Sequence, residues 1–346
     1  MQNKGLGCLA IFLGVALVVS VFANVVQVAL WFGFDQANVS MVQPKQKFAE
    51  HLEDEGNGNT KDKVVQIDLE GVITGSSESS VLSSAGMDVD GVKRALEQAR
   101  EDSTVKAIVL RVNSPGGEVT ASDELYRAIK DTVTKGKKPV VVYMDAIAAS
   151  GGYYLSCGAS HIIANETTLT GSIGVIMETL NYSDAFNKLG LNTEVFKSGA
   201  FKDTLSGSRP MRDDEKAYVQ SLVMQMYDKF VGIVSEARKI PTDTLKTTLA
   251  DGRVFTGEEA LKDKLVDQLG YIEDAYAKAR ELGGAPDAMV VRYQKHSSLS
   301  ELLFGASSAL PKPGASTQIH VDVADQLLPH LKPGCMYMLP AYMVGK

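Results

Sequence analysis

The chain is poor in the residues that build metal centres, disulfide frameworks and nucleic-acid surfaces. Its 346 residues include 3 cysteines and 5 histidines. Three cysteines are too few for a disulfide framework, and no pair of cysteines has the spacing of metal ligands. The histidines form no cluster, so a zinc enzyme is disfavoured. The net charge is −7 and no basic stripe offsets it, so we expect no nucleic-acid partner.

Charged residues are absent from residues 6–34. A helix needs about 20 apolar residues to cross a bilayer, and Trp31 falls where an interfacial aromatic residue is common. Residues 1–34 therefore predict an N-terminal transmembrane anchor in the lipid bilayer. A cleavable signal peptide is the alternative, because Val21-Phe22-Ala23 is an acceptable cleavage site. The apolar run continues well past Ala23, which favours the anchor.

Two further segments lack the pattern of a packed core. Residues 35–62 are polar and mixed in charge, which predicts a linker between the membrane and a folded domain. After residue 283 the periodic signal fades. Residues 284–346 predict a C-terminal extension, with a loop rich in glycine, alanine, serine and proline at 303–317 and a closing strand at 336–339.

Residues 63–283 alternate between strand and helix patterns and predict the catalytic domain. Apolar runs predict strands at 64–69, 105–112, 139–144, 161–164, 173–177 and 193–196. Apolar residues at helical spacing predict helices near 89–99 and 125–133, and a long helix over 218–237 that Pro241 stops. Strands that alternate with helices predict an α/β fold with a mostly parallel sheet covered by helices.

Two glycine-rich turns follow predicted strands. Residues 113–119 include Gly116 and Gly117, whose amides can face a cavity and hold an oxyanion. Residues 145–154 place Ser150 among small residues, as expected for a nucleophile on a sharp turn that opens a helix. The helix dipole would stabilise its alkoxide, and the amide of Gly151 would be a second oxyanion donor. The alternatives are a plain tight turn and a serine that caps a helix.

A serine nucleophile needs a base, and none of the glycine-rich turns contains histidine. Lys197 and Lys202 lie in the turn after the predicted strand at 193–196. A lysine serves as a base when burial lowers its pKa, and Phe201 is compatible with an apolar pocket. The ordinary role of a loop lysine is a solvated surface charge. Ser172, in another glycine-rich turn, would either orient the lysine amine or only shape its loop.

The order of four motifs resembles the signal peptide peptidase A family, short form, of peptidase family S49. The motifs are Asn-Ser-Pro-Gly-Gly, Ala-Ala-Ser-Gly-Gly-Tyr-Tyr, Thr-Gly-Ser-Ile-Gly-Val and Lys-Ser-Gly-Ala-x-Lys-Asp, and the resemblance covers about residues 63–280. It implies the Clp-protease/crotonase-like fold of repeated ββα units. It also implies that Ser150 is the nucleophile, Lys202 rather than Lys197 the base, and Gly117 and Gly151 the oxyanion donors. Lys264 departs from the family, which commonly has glycine there.

The resemblance implies a membrane-anchored serine endopeptidase with a Ser–Lys dyad and no metal or cofactor. Its substrates would be signal peptides left in the membrane, and also misfolded exported proteins. The implied location is the bacterial cytoplasmic membrane, with the catalytic domain outside the cytoplasm.

The resemblance also implies a homo-oligomeric ring. In the longer members of the family the lysine and the serine come from two halves of one chain, whereas this chain carries each once, so Lys202 of one subunit would meet Ser150 of the next. A self-contained monomer is the alternative. Two other functions remain open, a non-catalytic membrane scaffold and a crotonase-like acyl-CoA enzyme.

Overall fold

The computed structural model describes residues 14–15, 17–22, 24, 47–58, 60–75, 86–294 and 337–338. The chain divides into two units, residues 1–46 and 47–346. The predicted anchor at 1–34 lies largely outside the described residues, and those described between 14 and 24 are helical. Within the described part of the chain, no helix combines the length and the apolar character needed to span a bilayer.

The second unit is built on a large sheet with mainly parallel pairing. Its strands are β1 (Ala49–Asp54), β2 (Lys63–Glu70), β5 (Val105–Ser114), β7 (Val140–Ala149), β8 (His161–Ala164), β9 (Leu169–Gly171), β10 (Val254–Thr256), β11 (Gln268–Leu269) and β12 (Met289–Gln294). The spatial order is β1-β12-β2-β5-β7-β8-β11, with β9 beside β7 and β10 beside β9. Only the β1–β12 and β9–β10 pairs of this sheet are antiparallel in the described residues.

A smaller sheet lies at the ends of these strands. It consists of β3 (Val72–Thr74), β4 (Gly86–Asp88), β6 (Gly117–Glu118) and β13 (Tyr337–Met338) in the order β13-β6-β3-β4. Strand β13 is antiparallel to β6 and pairs Tyr337 with Glu118 and Met338 with Gly117. It lies within the segment 336–339, for which the sequence predicted a closing strand.

Helices cover both faces of the large sheet. They are α1 (Val89–Glu101), α2 (Val119–Thr134), α3 (Gly151–Ser156), α4 (Ser183–Lys188), α5 (Asp213–Arg238), α6 (Thr242–Thr248), α7 (Gly257–Lys262) and α8 (Ile272–Leu282). Alternate residues of β2 face opposite cores. Val65, Ile67 and Leu69 join the core under α1, α2 and α5, whereas Val64 joins the core under α8. The predicted parallel sheet with helical cover is therefore confirmed.

Two predicted strands are wrong. Residues 173–177 and 193–196 form no strand. The strand that the structure has in this region is β9, which ends just before residue 173. Apart from Ser183, residues 178–202 are partly or fully exposed, and Phe196 is 94% exposed. At 173–177 the apolar pattern reflects core packing without strand pairing, because Ile173 is fully buried in the main core and Val175 packs against it. At 193–196 the apolar side chains of Val195 and Phe196 are exposed instead. The segment 178–202 contains α4, which the sequence did not predict.

The large sheet also extends beyond the predicted domain at 63–283. Strand β1 lies in the predicted linker, and β12 lies in the predicted C-terminal extension. Strand β12 is parallel to β2 and buries Val290 and Val291, while β1 covers its outer edge. Because β1 is an edge strand with mostly exposed residues, its sequence lacks the apolar alternation that identifies a half-buried strand.

Candidate active site

Ser150 lies at the junction between strand β7 and helix α3. Its backbone has φ 54° and ψ −114°. The Ser150 amide donates to the carbonyl of Gly171 at 2.8 Å, and its own carbonyl accepts from the Tyr154 amide at 2.8 Å. A positive φ costs a residue with a side chain about 1–3 kcal/mol, so the surrounding structure must hold it in place. This is the sharp strand-to-helix turn that the sequence predicted.

The side chain of Ser150 is fully buried and unpaired. Its exposed fraction is 0%, and its Oγ has no hydrogen-bond partner among the residues that the structure describes. A buried hydroxyl without a partner costs about 1–3 kcal/mol and is uncommon in native proteins. A strained backbone and an unpaired buried hydroxyl on the same residue are typical of a functional site.

Glycine backbones approach closely beside Ser150. A Cβ atom on Gly151 would collide with Ser122 Oγ and would lie 3.1 Å from the amide nitrogen of Gly117. A Cβ atom on Gly117 would collide with the carbonyl oxygen of Ile73. Only glycine fits at either position. The two residues predicted as oxyanion donors are therefore brought together next to the serine.

Two tyrosines fix helix α3, which follows Ser150. Tyr153 donates its hydroxyl to the carbonyl of Leu265 at 2.8 Å, and Tyr154 donates to Asp123 Oδ1 at 2.6 Å. Both rings are fully buried. Burial, followed by the hydrogen bond to Asp123, raises the pKa of Tyr154 well above its ordinary value. These neutral phenols anchor the helix, a role that the motif Gly-Gly-Tyr-Tyr did not reveal.

Ser172 also lies close to the Ser150 backbone. It follows Gly171, whose carbonyl accepts the Ser150 amide, and strand pairing sets Ala149 opposite Gly171. Ser172 is buried, has φ 50°, and donates its amide to the carbonyl of Arg253 at 2.8 Å. Its role in orienting a lysine stays a prediction.

Lys202 is not joined to Ser150 within the chain. It lies in the exposed turn at 201–205, where its amide donates to the carbonyl of Gly199 at 3.1 Å. Among the described residues, neither Lys202 nor any other side chain forms a hydrogen bond with Ser150 Oγ. The structure thus assembles Ser150, Gly117, Gly151 and Ser172, and leaves Lys202 outside this group.

Lys197 belongs to a group of paired charges around the same turn. We call this group the charge cluster, and it comprises Lys197, Asp203, Arg209, Arg212, Asp214 and Glu215. Lys197 Nζ donates to Asp203 Oδ1 at 2.7 Å, and Arg209 links Asp203 to Glu215 with contacts of 2.6–2.9 Å. Hydrogen bonds from Arg209, and then from Lys197, hold the pKa of Asp203 well below its usual range. Arg209 is also the main cause that lowers the pKa of Glu215 to about 2.

Other reactive side chains offer no competing site. No group of histidine, cysteine, aspartate and glutamate residues in the described ranges has a geometry that could hold a metal ion. Cys157 is a buried thiol, and burial raises its pKa to about 12, which keeps it protonated and unreactive. Ser150 remains the nucleophile candidate whose geometry suits catalysis.

The sequence matches known families over the same region. The profile of peptidase family S49 matches residues 132–285, and that of Clp protease matches residues 90–168. A relative from Enterococcus faecium, named signal peptide peptidase SppA, is 38% identical over 237 residues, which are 68% of each chain. Protease 4 of Haemophilus influenzae is 36% identical over 224 residues, which are 65% of this chain and 35% of that protein.

A chloroplastic relative from Arabidopsis thaliana, named serine protease SPPA, is 32% identical over 220 residues. The match covers 62% of this chain and 32% of that protein. With its mixed α/β fold, parallel-rich sheet and serine turn, the chain is a serine peptidase with a Clp-protease-like architecture. It belongs to peptidase family S49.

Proposed function

We propose that the chain is a membrane-anchored serine endopeptidase in which Ser150 is the nucleophile and Lys202 the base. The observation that carries this proposal is the state of Ser150, which combines φ 54°, complete burial and an unpaired Oγ. The residue also precedes the first turn of α3 and adjoins Gly117 and Gly151. Their backbone amides are the donors that a tetrahedral oxyanion needs.

The choice between the two lysines rests on their partners. Lys197 donates to Asp203 at 2.7 Å and is held in this ion pair. Lys202 lies five residues further on, in the exposed turn, and takes no part in the charge cluster. A lysine accepts a proton only in its neutral form, so the lysine without a carboxylate partner is the better base. This agrees with the assignment implied by the family resemblance.

We propose that the dyad forms between two copies of the chain. Ser150 Oγ is unpaired inside the fold, whereas Lys202 is exposed on a segment that displays large apolar side chains. Leu180, Leu189 and Phe196 are 77%, 72% and 94% exposed. A second copy that covers this segment would bury these side chains. Lys202 of the first copy would then lie beside Ser150 of the second. A head-to-tail contact of this kind closes into a ring.

The reaction proceeds by acyl transfer. Ser150 Oγ attacks the peptide carbonyl carbon while neutral Lys202 accepts the serine proton, and the amides of Gly117 and Gly151 hold the oxyanion. The carbon–nitrogen bond breaks as the Lys202 ammonium protonates the leaving amine. Lys202 then takes a proton from a water molecule as the water oxygen attacks the acyl carbon. The ester bond to Ser150 Oγ breaks, the new carboxyl end is released, and Lys202 returns the proton to Ser150 Oγ.

Peptide substrates would bind as an extended strand along β6. Strand β13 of the chain itself takes such a position, antiparallel to Gly117–Glu118. A substrate strand in this register lies beside an oxyanion glycine, and backbone pairing binds peptides with little dependence on side chains. Such binding suits an endopeptidase that degrades peptides of varied sequence.

The substrates that we propose are signal peptides left in a membrane after their release, and also misfolded exported proteins. The name of the Enterococcus faecium relative, signal peptide peptidase, supports the first class. The uncharged run at 6–34 supports an anchor that holds the enzyme at the bilayer. In this proposal the anchor is single-pass, and the catalytic domain lies outside the cytoplasm of a bacterial cell.

A fluorophosphonate label and a fluorogenic peptide test the catalytic proposal. With the full chain in detergent, we expect labelling at Ser150 and peptide hydrolysis, both absent from Ser150→Ala. A scaffold would neither react nor hydrolyse peptide. A crotonase-like enzyme would turn over an acyl-CoA thioester without needing Ser150. Labelling at another residue, or hydrolysis by Ser150→Ala, contradicts the assignment.

Complementation tests the shared dyad. Inactive Ser150→Ala and inactive Lys202→Ala are mixed under conditions where subunit exchange is followed by fluorescence transfer between labelled chains. If neighbouring chains share the dyad, mixed interfaces pair an intact Ser150 with an intact Lys202 and recover activity. If subunits exchange and no activity returns, each chain supplies its own dyad and the ring proposal fails.

A further inference from the structure

The charge cluster surrounds the turn that carries Lys202, but Lys202 is not a member. The cluster has three cations (Lys197, Arg209, Arg212) and three anions (Asp203, Asp214, Glu215). Arg212 Nε donates to Asp214 Oδ1 at 3.0 Å, and Arg212 Nη1 lies 2.9 Å from Glu215 Oε1. The charges balance, so each carboxylate has a cation other than Lys202.

Asp203 is the carboxylate that matters most, because it follows Lys202 directly in the chain. Its Oδ1 accepts from Lys197 Nζ and from Arg209 Nη2, both at 2.7 Å, and its Oδ2 accepts from Arg209 Nε at 2.9 Å. Its side chain is only 11% exposed. Both oxygens are thus occupied by cations other than its neighbour.

Glu215 ties this arrangement to the rest of the fold. Its side chain is fully buried, and it accepts from Arg209 and from the Arg212 amide at 2.9 Å in the first turn of α5. Thr204, in the Lys202 turn, points its hydroxyl at the same carboxylate at 3.4 Å. The turn is therefore fixed by charge-assisted hydrogen bonds rather than by an apolar core.

Other titratable groups approach the turn from two neighbouring elements. From α5, Tyr218 packs edge-on against Phe201 with ring centroids 5.4 Å apart, and Asp213 pairs with Lys216 at 3.2 Å. The segment 178–182 hydrogen-bonds to the far side of the loop, where the Tyr182 amide donates to Gly207 at 2.9 Å. That segment contributes Glu178 and Tyr182.

We propose that the charge cluster positions Lys202 as a base by keeping the neighbouring carboxylates occupied, with Lys197 and Arg209 as the positioning residues. The inference rests on the proposed function, in which Lys202 removes the Ser150 proton. An unpaired carboxylate beside a lysine favours the ammonium form, and a nearby cation disfavours it. Lys197 acts in the first way, because it occupies Asp203, the carboxylate that follows Lys202 directly in the chain.

The test compares the pH dependence of kcat/KM for wild type and Lys197→Met. The full chain in detergent cleaves a fluorogenic peptide between pH 6 and pH 10. We expect the acid limb of the Lys197→Met profile to move upward by about half a pH unit, which is about a threefold loss at a given pH on that limb. The alkaline plateau should stay within about twofold of wild type, because a base that has already lost its proton no longer needs help from neighbouring charges to lose it.

Two matched variants separate this effect from a general loss of surface charge. Lys216→Met removes the same charge from the first turn of α5, but Lys216 pairs with Asp213 outside the cluster, so its profile should overlay that of wild type. Lys197→Arg keeps the charge and should return the acid limb to its wild-type position. The pH dependence of fluorophosphonate labelling at Ser150 should follow the same shifts, since labelling also requires an activated serine.

The outcomes distinguish this inference from the proposed function. An active wild type whose Lys197→Met variant has an unmoved acid limb, or loses only its plateau, overturns the positioning role and leaves the peptidase assignment intact. A shift of the same size in Lys216→Met also overturns it. A wild type that neither hydrolyses peptide nor labels at Ser150 overturns the proposed function, and this inference falls with it.

Discussion

The serine turn and the lysine turn are built by different forces. Ser150 is buried between strand β7 and helix α3, with tyrosine anchors and close-packed glycines on its sides. Lys202 lies on an exposed turn that ion pairs hold in place, next to a segment with exposed apolar side chains. A hydrophobic core makes the first turn rigid. Charge-assisted hydrogen bonds fix the Lys202 turn and leave Phe201 and Lys202 exposed to solvent.

This difference is the reason for the proposal that two copies of the chain share the dyad. Ser150 and Ser172 follow β7 and β9 of the large sheet, Gly151 begins α3, and Gly117 lies in β6 of the smaller sheet. Lys202 lies beside apolar side chains, such as Phe196, that stay exposed among the residues that the structure describes. Core packing can place a nucleophile within one subunit, whereas an exposed turn depends on whatever surface covers it.

The largest expected effect is the loss of activity when either residue of the proposed dyad is replaced. Ser150→Ala and Lys202→Ala should each lower kcat/KM by at least about 100-fold, because a nucleophile and its base act as one unit. The double variant should lose little more than either single variant. Lys216→Ala is the matched control and should keep wild-type activity. If Lys202→Ala retains more than about a tenth of the rate, Lys202 is not the base.

Adding a methyl group at Gly151 tests the close packing around Ser150. Gly151→Ala places its Cβ against Ser122 Oγ, so we expect a destabilisation of about 1–3 kcal/mol from overpacking. A displacement of about 1 Å in the site should lower kcat about 100-fold. Gly232→Ala, in helix α5 with open space around it, should instead stabilise the protein by up to about 1 kcal/mol. Equal stability and equal activity for both variants would refute the packing argument.

Acid should weaken the ion pairs that hold the Lys202 turn and so lower the free energy of unfolding. Arg209 lowers the pKa of Glu215 from 4.5 to about 2 in the folded chain. A depressed carboxyl pKa stabilises the fold above the unfolded pKa, and this contribution is lost as pH falls from about 4.5 to about 2. Urea unfolding of Glu215→Gln should therefore depend less on pH in that window than wild type does. Glu236→Gln, an exposed carboxyl far from the turn, is the control and should leave most of the dependence in place.

The smallest expected effect concerns strand β13 beside the serine. Because Tyr337–Met338 pairs with the β6 backbone next to Gly117, it competes with a substrate strand from within the same chain. Deleting residues 337–346 should raise kcat/KM for a short peptide a few-fold, mainly through a lower KM. The pairing would be irrelevant to catalysis if the shortened chain had an unchanged KM.

Sequence patterns predicted the buried elements well. Strands β2, β5, β7 and β8 stand out as apolar runs because their side chains face a core on both sides of the sheet. The small residues around Ser150 predicted its sharp turn. They are needed there because a Cβ atom at position 151 would collide with Ser122 Oγ. The same patterns failed at 173–177, where the buried Ile173 joins the core without strand pairing, and at 193–196, where Phe196 is exposed. They also failed at β1, where an edge strand is mostly polar.

The amino-acid sequence by itself determined the family, the parallel sheet and the strained serine turn, because buried periodicity and glycine spacing are local properties of the chain. Only the tertiary structure decided which lysine is free. Lys197 and Lys202 are five residues apart in the same turn, and both have an acidic residue nearby in sequence. Asp203 could be assigned to Lys197 only after folding had brought Arg209 and the buried Glu215 around it, since ion pairs depend on distances in space that no local pattern encodes.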